Sequence, residues 1–298
     1  MKIPDNELFS IASVMLIDGA EGPDAILARL TPLQRDLISM QQLLLKGKLA
    51  QAFTISEELL SRSRSTSERD AEVEVRIRIE RALLATDGND KSGIELRWCT
   101  DRLNAMMPGS SLHGISILNL AAWHANNGEI MMSLAVHSDI SKNSGHPPEI
   151  RGLSRIEVAR MLAALSDFDP AMRHLWTARV IFLEYELTAE AIVAGLEWLD
   201  LALEEVDSSA PRMLHRIETA TPRPVPGNSW IASNPEDVKD VVEHLIPILT
   251  SDVSGDERND LGLIIDAAEV LGEKSWINRI SKHSNLIQDS RLLEALQS

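Results

Sequence analysis

The stretch TPLQRDLISMQQLLLKGKLAQA, residues 31–52, contains a helix start, an amphipathic helix, a turn and the opening of a second helix. Thr31 and Gln34 lie on either side of Pro32, a pattern typical of a capped helix with proline at its first position. Apolar side chains then recur at helical spacing, at Leu33, Leu37, Met40 and Leu44. Because Gly47 can adopt a left-handed conformation, the stretch predicts two antiparallel helices joined by a tight turn.

Similar turns recur along the chain at a nearly constant interval. Gly47, Gly88, Gly128 and the acidic turn at Asp167 are 41, 40 and 39 positions apart. A fixed period of roughly 20 to 50 residues is typical of stacked helical repeats, whose neighbours bury a shared core and expose a long concave surface. The spacing therefore predicts an all-α array of helical hairpins.

Further helix starts are predicted at Ser154, at Asp169-Pro170 and at Asn234-Pro235, each followed by apolar residues at helical spacing. Four helices are expected near the end of the chain, over residues 234–250, 256–271, 273–282 and 289–296. A repeat array needs terminal units that shield its apolar end. We therefore interpret residues 235–298 as a C-terminal helical cap.

One segment reads locally as a strand, because Val73, Val75, Ile77 and Ile79 alternate with charged residues. We nevertheless predict a helix there, since the segment occupies the first-helix position before Gly88. Complementary charges also recur four residues apart, at Glu72/Arg76, Glu74/Arg78 and Arg76/Glu80. No matching partner strand is evident elsewhere in the sequence.

Two turns carry a family resemblance. Gly47-Lys48-Leu49-Ala50-Gln51-Ala52 and Gly128-Glu129-Ile130-Met131-Met132-Ser133 resemble the turn of tetratricopeptide repeats, in which a small residue lets two helices pack closely. The resemblance covers about residues 31–207, with a period near forty instead of about 34 and few of the family's aromatic landmarks. It implies a right-handed superhelix that binds a peptide or protein segment on its concave side. The spacing is also similar to helical sensor domains of some bacterial transcription regulators.

The segment between the array and the cap has a different composition. Residues 207–234 hold four of the 13 prolines, and Pro235 follows directly, so we predict an array over 1–206 and a proline-rich linker or long loop over 207–234. Two interpretations stay open for that loop. It is a simple connector, or it packs back onto the array through Trp230 and partly covers the groove.

The charge of the chain limits its partners. With 29 Lys and Arg against 45 Asp and Glu, the formal net charge is −16, which disfavours nucleic acids and anionic membranes. Solubility, a salt-adapted proteome or a dedicated basic partner each explains the acidity. The single cysteine, Cys99, excludes an internal disulfide and a multi-cysteine zinc site. The acidic start of the sequence and its short apolar runs are typical of a cytoplasmic protein.

The sequence contains no pattern that predicts catalysis. The eight histidines form no short metal-binding pair, and phosphate-loop, dinucleotide and nucleophile-elbow motifs are missing from the sequence. We therefore expect no cofactor, no metal and no enzymatic activity. An all-helical enzyme stays open as a third possibility, which clustered ionisable residues in a closed cavity would favour.

Binding to a protein or peptide is the function that the array favours. The expected groove residues on inner helices are Gln34, Gln41, Leu44, Arg78, Asn119 and Asn126. An acidic stripe for a basic partner is expected at Glu190, Glu197, Asp200 and Glu204. The opposite, apolar face of the same helix is expected at Ile192, Leu196, Leu199 and Leu203. We thus predict a non-enzymatic scaffold or adaptor of unassigned oligomeric state. The alternative is a regulatory or sensor module with a mostly apolar ligand pocket of about 300 to 1,000 Å³ between repeats.

Overall fold

The computed structural model describes residue 9 and residues 28–84, 90–203, 235–251, 261–287 and 290–296. This part of the chain consists of α-helices, short 3-10 helices and turns, and contains no β-strand. The all-α prediction is confirmed. The chain divides into two compact units, Met1–Asp139 and Ile140–Ser298. The proline-rich loop predicted over 207–234 lies outside the described residues, as do Gly88 and Glu204.

The first unit contains six helices with described bounds. They are α1 (Pro32–Leu45), α2 (Leu49–Ser63), α3 (Ala71–Leu84), α4 (Asp90–Met106), α5 (Ser111–Asn126) and α6 (Ile130–His137). Each helix packs against the next one along the chain, and α1 also contacts α3. The start of α1 is the predicted capping box, in which the Thr31 hydroxyl accepts from the Gln34 N–H and the Gln34 amide accepts from the Thr31 N–H.

The second unit contains seven described helices. They are α7 (Pro148–Ala164), α8 (Phe168–Glu184), α9 (Thr188–Leu203), α10 (Pro235–Leu249), α11 (Leu261–Leu271), α12 (Lys274–Ser281) and α13 (Ser290–Ala295). Short 3-10 helices lie at Lys142–Ser144 and Ser284–Leu286. Helix α9 packs against α8, α10 and α11, so it runs through the core of this unit. The four helices expected near the end of the chain are present as α10 to α13.

Two predicted helix starts are wrong. Helix α7 begins at Pro148, and Ser154 is buried inside it, because Pro148 suits a first turn while Pro147 is held extended before it. Helix α8 begins at Phe168, so Pro170 lies in its first turn and Asp169 is not the cap. Proline is tolerated throughout the first turn of a helix. The sequence around Pro148 and Pro170 therefore does not fix the residue at which each helix begins.

Among the described residues, five turns share one geometry. Gly47 and Gly128 have φ of 69° and 77°, as predicted, while the left-handed residue of the third turn is Ser166 and not Asp167. Glu186 and Gly272 are left-handed in the same way. In each turn two backbone N–H groups donate hydrogen bonds to carbonyls of the preceding helix. In the first turn, Gly47 donates to Leu44 and Lys48 donates to Leu43. This is the Schellman arrangement, which ends a helix and reverses the chain.

The segment with alternating residues is helical, and α3 explains the alternation. Val73 and Ile77 pack into a core cluster with α1 and α2, whereas Val75 and Ile79 pack with Cys99 of α4 and its neighbours. A helix buried on two faces needs apolar residues on both, and here they fall on alternate positions. The predicted ion pairs Glu72–Arg76 and Glu74–Arg78 are present.

Candidate functional site

A cavity of about 560 Å³ lies along α9 in the second unit. Its lining consists of five apolar residues and two carboxylates, namely Ala189, Ile192, Val193, Leu196, Leu263, Glu197 and Asp200. All except Leu263 come from α9, and Leu263 comes from α11. The cavity therefore combines an apolar wall with acidic groups at successive turns of one helix.

A second cavity, of about 220 Å³, adjoins the first. It is lined by residues of α7, α8 and α9, namely Ala159, Arg160, Ala163, Leu175, Leu201, Glu197 and Asp200. Glu197 and Asp200 belong to both cavities, so the two form one depression, which we call the α9 groove. Two of the four residues predicted as an acidic stripe thus lie together at its centre.

The two carboxylates of the α9 groove differ in whether they are already paired with a cation. Arg160 donates two hydrogen bonds to the Glu197 carboxylate and a third, of 2.6 Å, to Glu157 on its own helix. The bond to Glu197 raises the pKa of the Arg160 guanidinium. Asp200 is exposed and has no hydrogen bond or ion pair to any described residue. Asp200 is therefore the carboxylate available to a cation.

The remaining stripe residues have different surroundings. Glu190 is half-buried in the first turn of α9. Its negative charge interacts favourably there with the positive end of the helix dipole. Ile192 and Leu196 were expected on the face opposite the carboxylates, yet both line the groove beside them. Leu199 is fully buried, as that expectation required.

The six groove residues predicted in the first unit are used mainly in local contacts. Gln34 completes the cap of α1, and the Gln41 amide donates to Glu80 at 2.8 Å. Leu44 packs against the core formed by α1, α2 and α3. Asn119 is half-buried and Asn126 is exposed, both on α5.

Arg78 lies in a network of charges. It bonds Glu74 of its own helix and Glu95 of α4 at 2.8 Å, and its guanidinium lies 4.4 Å from the ring centre of Trp98. Burial raises the pKa of Glu95, although Arg81 and Arg64 act in the opposite direction. These contacts fix Arg78 between α3 and α4.

Several titratable groups are buried in the first unit. The His113 ring accepts from the Gly109 N–H at 3.2 Å, and His124 lies 2.6 Å from Glu129. Burial lowers the pKa of His137 to about 4 and raises the pKa of the Cys99 thiol to about 12. Within the described ranges, no group of three or more His, Cys, Asp or Glu residues is placed to hold a metal ion.

Sequence reasoning missed the cavity itself. Ala189, Val193 and Leu263 gave no signal, because a small residue, an exposed valine and a leucine of another helix look like ordinary helix positions. The contact of α9 with α11 forms the cavity, and it joins segments far apart in sequence. The sequence feature that came nearest to predicting the cavity was the apolar face of α9 opposite its carboxylates.

Comparison of the chain with protein-family models, with curated proteins and with solved structures finds no match. Among the helices that the structure describes, none combines the length and the apolar character needed to cross a membrane.

Proposed function

We propose that this chain is a non-enzymatic binding protein, a scaffold or adaptor, whose α9 groove takes a basic amphipathic segment of another protein. The cavity of about 560 Å³ is the observation that carries the proposal, since its walls are apolar and Asp200 lies beside them. An apolar side chain of the partner enters the cavity, and a neighbouring lysine or arginine pairs with Asp200. Amphipathic helices bind apolar grooves in this way.

Apolar contact and charge have separate roles in this proposal. Full burial of a leucine or phenylalanine side chain contributes about 1.5 to 3 kcal/mol. One exposed ion pair contributes up to about 1 kcal/mol, so Asp200 adds little affinity by itself. The net charge of −16 attracts cationic segments over a longer distance and raises their association rate. The cavity thus supplies affinity, and the acidic charge selects the partner.

The probes for this proposal are two fluorescein-labelled amphipathic peptides, one with leucine and lysine and the other with leucine and glutamate. Fluorescence anisotropy measures their binding to the whole chain. We expect Asp200→Lys to weaken the lysine peptide about tenfold, because reversal replaces attraction with repulsion. Added salt should weaken binding in the wild type and much less in the variant.

Glu184→Lys is the matched control, since Glu184 is an exposed carboxylate of α8 that lines neither cavity. It makes the same change in net charge as Asp200→Lys. Equal loss in both variants would show that only overall charge matters and would reject the groove. Equal loss of the lysine and the glutamate peptide in Asp200→Lys would reject the proposed selectivity of the groove.

A second candidate function is a regulatory or sensor module that binds a small ligand. The specific support is the cavity volume, which lies within the range of about 300 to 1,000 Å³ found for small-molecule sites. Alkylammonium ions are suitable probes, because their chains match the apolar wall and their charge matches Asp200. This candidate predicts a melting temperature that rises with chain length and no such rise in Asp200→Lys.

The tetratricopeptide-like architecture is part of the proposal. Support comes from consecutive helices that pack on each other and from the shared turn that joins α1 to α2, α5 to α6 and α7 to α8. We also propose a cytoplasmic location, which a single buried Cys99 and an acidic composition favour.

A further inference from the structure

The turn between α1 and α2 differs in charge from the four other described turns of the same geometry. Glu129, Asp167 and Glu273 follow the left-handed residue in three of them, and Glu186 is itself the left-handed residue in the fourth. In the first turn, Lys46 precedes Gly47 and Lys48 follows it. This turn is thus basic in a chain whose net charge is −16.

Three large exposed apolar side chains lie next to the two lysines in the sequence. Leu45 is 66% exposed, Leu49 is 51% exposed and Phe53 is 47% exposed. Leu49 and Phe53 are four residues apart on α2, so they lie on one side of that helix. We call Leu45, Lys46, Lys48, Leu49 and Phe53 together the basic tip. Isolated exposed apolar residues are ordinary, but a cluster of three beside a turn marks an interaction surface.

The lysines of the basic tip are free to bind. Both are exposed, and neither has a carboxylate within ion-pair distance in the part of the chain that the structure describes. The last turn of α1 and the first turn of α2 contain no acidic residue. A partner that offers carboxylates next to apolar side chains would therefore complement the tip without competition from local ion pairs.

We propose that the basic tip docks an acidic amphipathic segment of another protein. The apolar side of the segment covers Leu49, Phe53 and Leu45, while its carboxylates pair with Lys46 and Lys48. Because the α9 groove favours the opposite charge, the protein would bind two partners of different chemistry. This second surface goes beyond the proposed function and does not depend on it.

The test measures anisotropy of the leucine–glutamate peptide on the whole chain. The double variant Lys46→Glu/Lys48→Glu should weaken this peptide about tenfold or more, since two exposed pairs become repulsive. Phe53→Ser should also weaken it, and because Phe53 is half exposed the chain should keep its fold. The control Lys274→Glu/Lys282→Glu changes the net charge equally at two exposed lysines elsewhere and should leave binding unchanged.

The two surfaces can be separated. Asp200→Lys should not weaken the glutamate peptide, and Lys46→Glu/Lys48→Glu should not weaken the lysine peptide, so either proposal can fail alone. Equal loss in the tip and control variants would overturn the basic tip. Wild-type affinity for the glutamate peptide in Lys46→Glu/Lys48→Glu would overturn it as well. So would binding to vesicles with about 30% phosphatidylserine in place of the peptide, because the tip would then be a membrane surface.

Discussion

Arg160 of α7 and Glu197 of α9 are joined by two hydrogen bonds in the wall of the α9 groove. The Arg160 side chain is 51% exposed, so the pair contributes at most about 1 kcal/mol to folding. Its main effect is on charge, because it neutralises one of the two carboxylates that both cavities share. Asp200 is the other carboxylate, and the cationic partner is expected to pair with it.

Removal of Arg160 should therefore increase affinity for a basic peptide. In Arg160→Gln, Glu197 and Glu157 lose their guanidinium partner, and we expect the lysine peptide to bind about 3- to 10-fold more tightly. Anisotropy titration measures the change, and urea unfolding checks that stability stays within about 1 kcal/mol. Arg155→Gln is the control on the same helix, with Arg155 bonded to His174 and outside the groove. Weaker binding in Arg160→Gln than in this control would contradict the account.

The all-α class and most helices could be predicted from sequence, because capping, turn residues and helical spacing are local properties. The helical assignment of α3 needed the charge pairs Glu72–Arg76 and Glu74–Arg78, since its apolar pattern reflects burial on two faces. The site could be predicted only in part. Glu197 and Asp200 stood out in the sequence, but the pairing with Arg160 and the wall at Leu263 depend on packing between distant helices.

Replacement of Ser166 by glycine in the left-handed turn should raise the free energy of unfolding. Ser166 has φ of 61°, a conformation that costs a non-glycine residue about 1 to 2 kcal/mol. Ser166→Gly removes this strain but adds freedom to the unfolded chain, so we expect a gain of about 0.5 to 1 kcal/mol in the free energy of unfolding. Urea denaturation measures it. Gly128→Ala, at φ 77° with open space around it, should lose about 1 kcal/mol. A loss of stability in Ser166→Gly would contradict this account of the turn.

The packing of α7 on α8 depends on Gly152. A Cβ atom there would overlap the ring of Phe182, which is fully buried. We expect Gly152→Ala to lower the free energy of unfolding by about 1 to 3 kcal/mol, because the added methyl group overpacks the space around a fully buried ring. Gly195→Ala is the control inside α9, where the nearest atoms are 3.7 Å away. It should stabilise by about 0.5 to 1 kcal/mol. Equal effects of the two changes would reject the close approach.

Buried histidine makes the chain sensitive to acid. Burial lowers the pKa of His137 to about 4 from the ordinary 6.5, so between these values the unfolded chain binds the proton more readily. Stability should be complete above pH 6.5 and fall as the pH drops towards 4, by about 3 kcal/mol from this residue alone. Urea unfolding at pH 7.5, 6 and 5 tests this. His137→Gln should flatten the dependence, whereas His283→Gln, at an exposed position, should not. An unchanged profile in His137→Gln would contradict the assignment.

The most direct test of binding in the α9 groove is to fill its cavity with a larger side chain. Val193 lines the larger cavity and is 42% exposed, so Val193→Trp should occupy the cavity without disturbing the core. The matched control is Val180→Trp, at a valine of α8 that is 46% exposed and outside both cavities. We predict that anisotropy titration of the lysine peptide shows at least a tenfold loss of affinity in Val193→Trp and none in Val180→Trp, with equal helical circular dichroism in both. Wild-type affinity in Val193→Trp would contradict binding in the α9 groove.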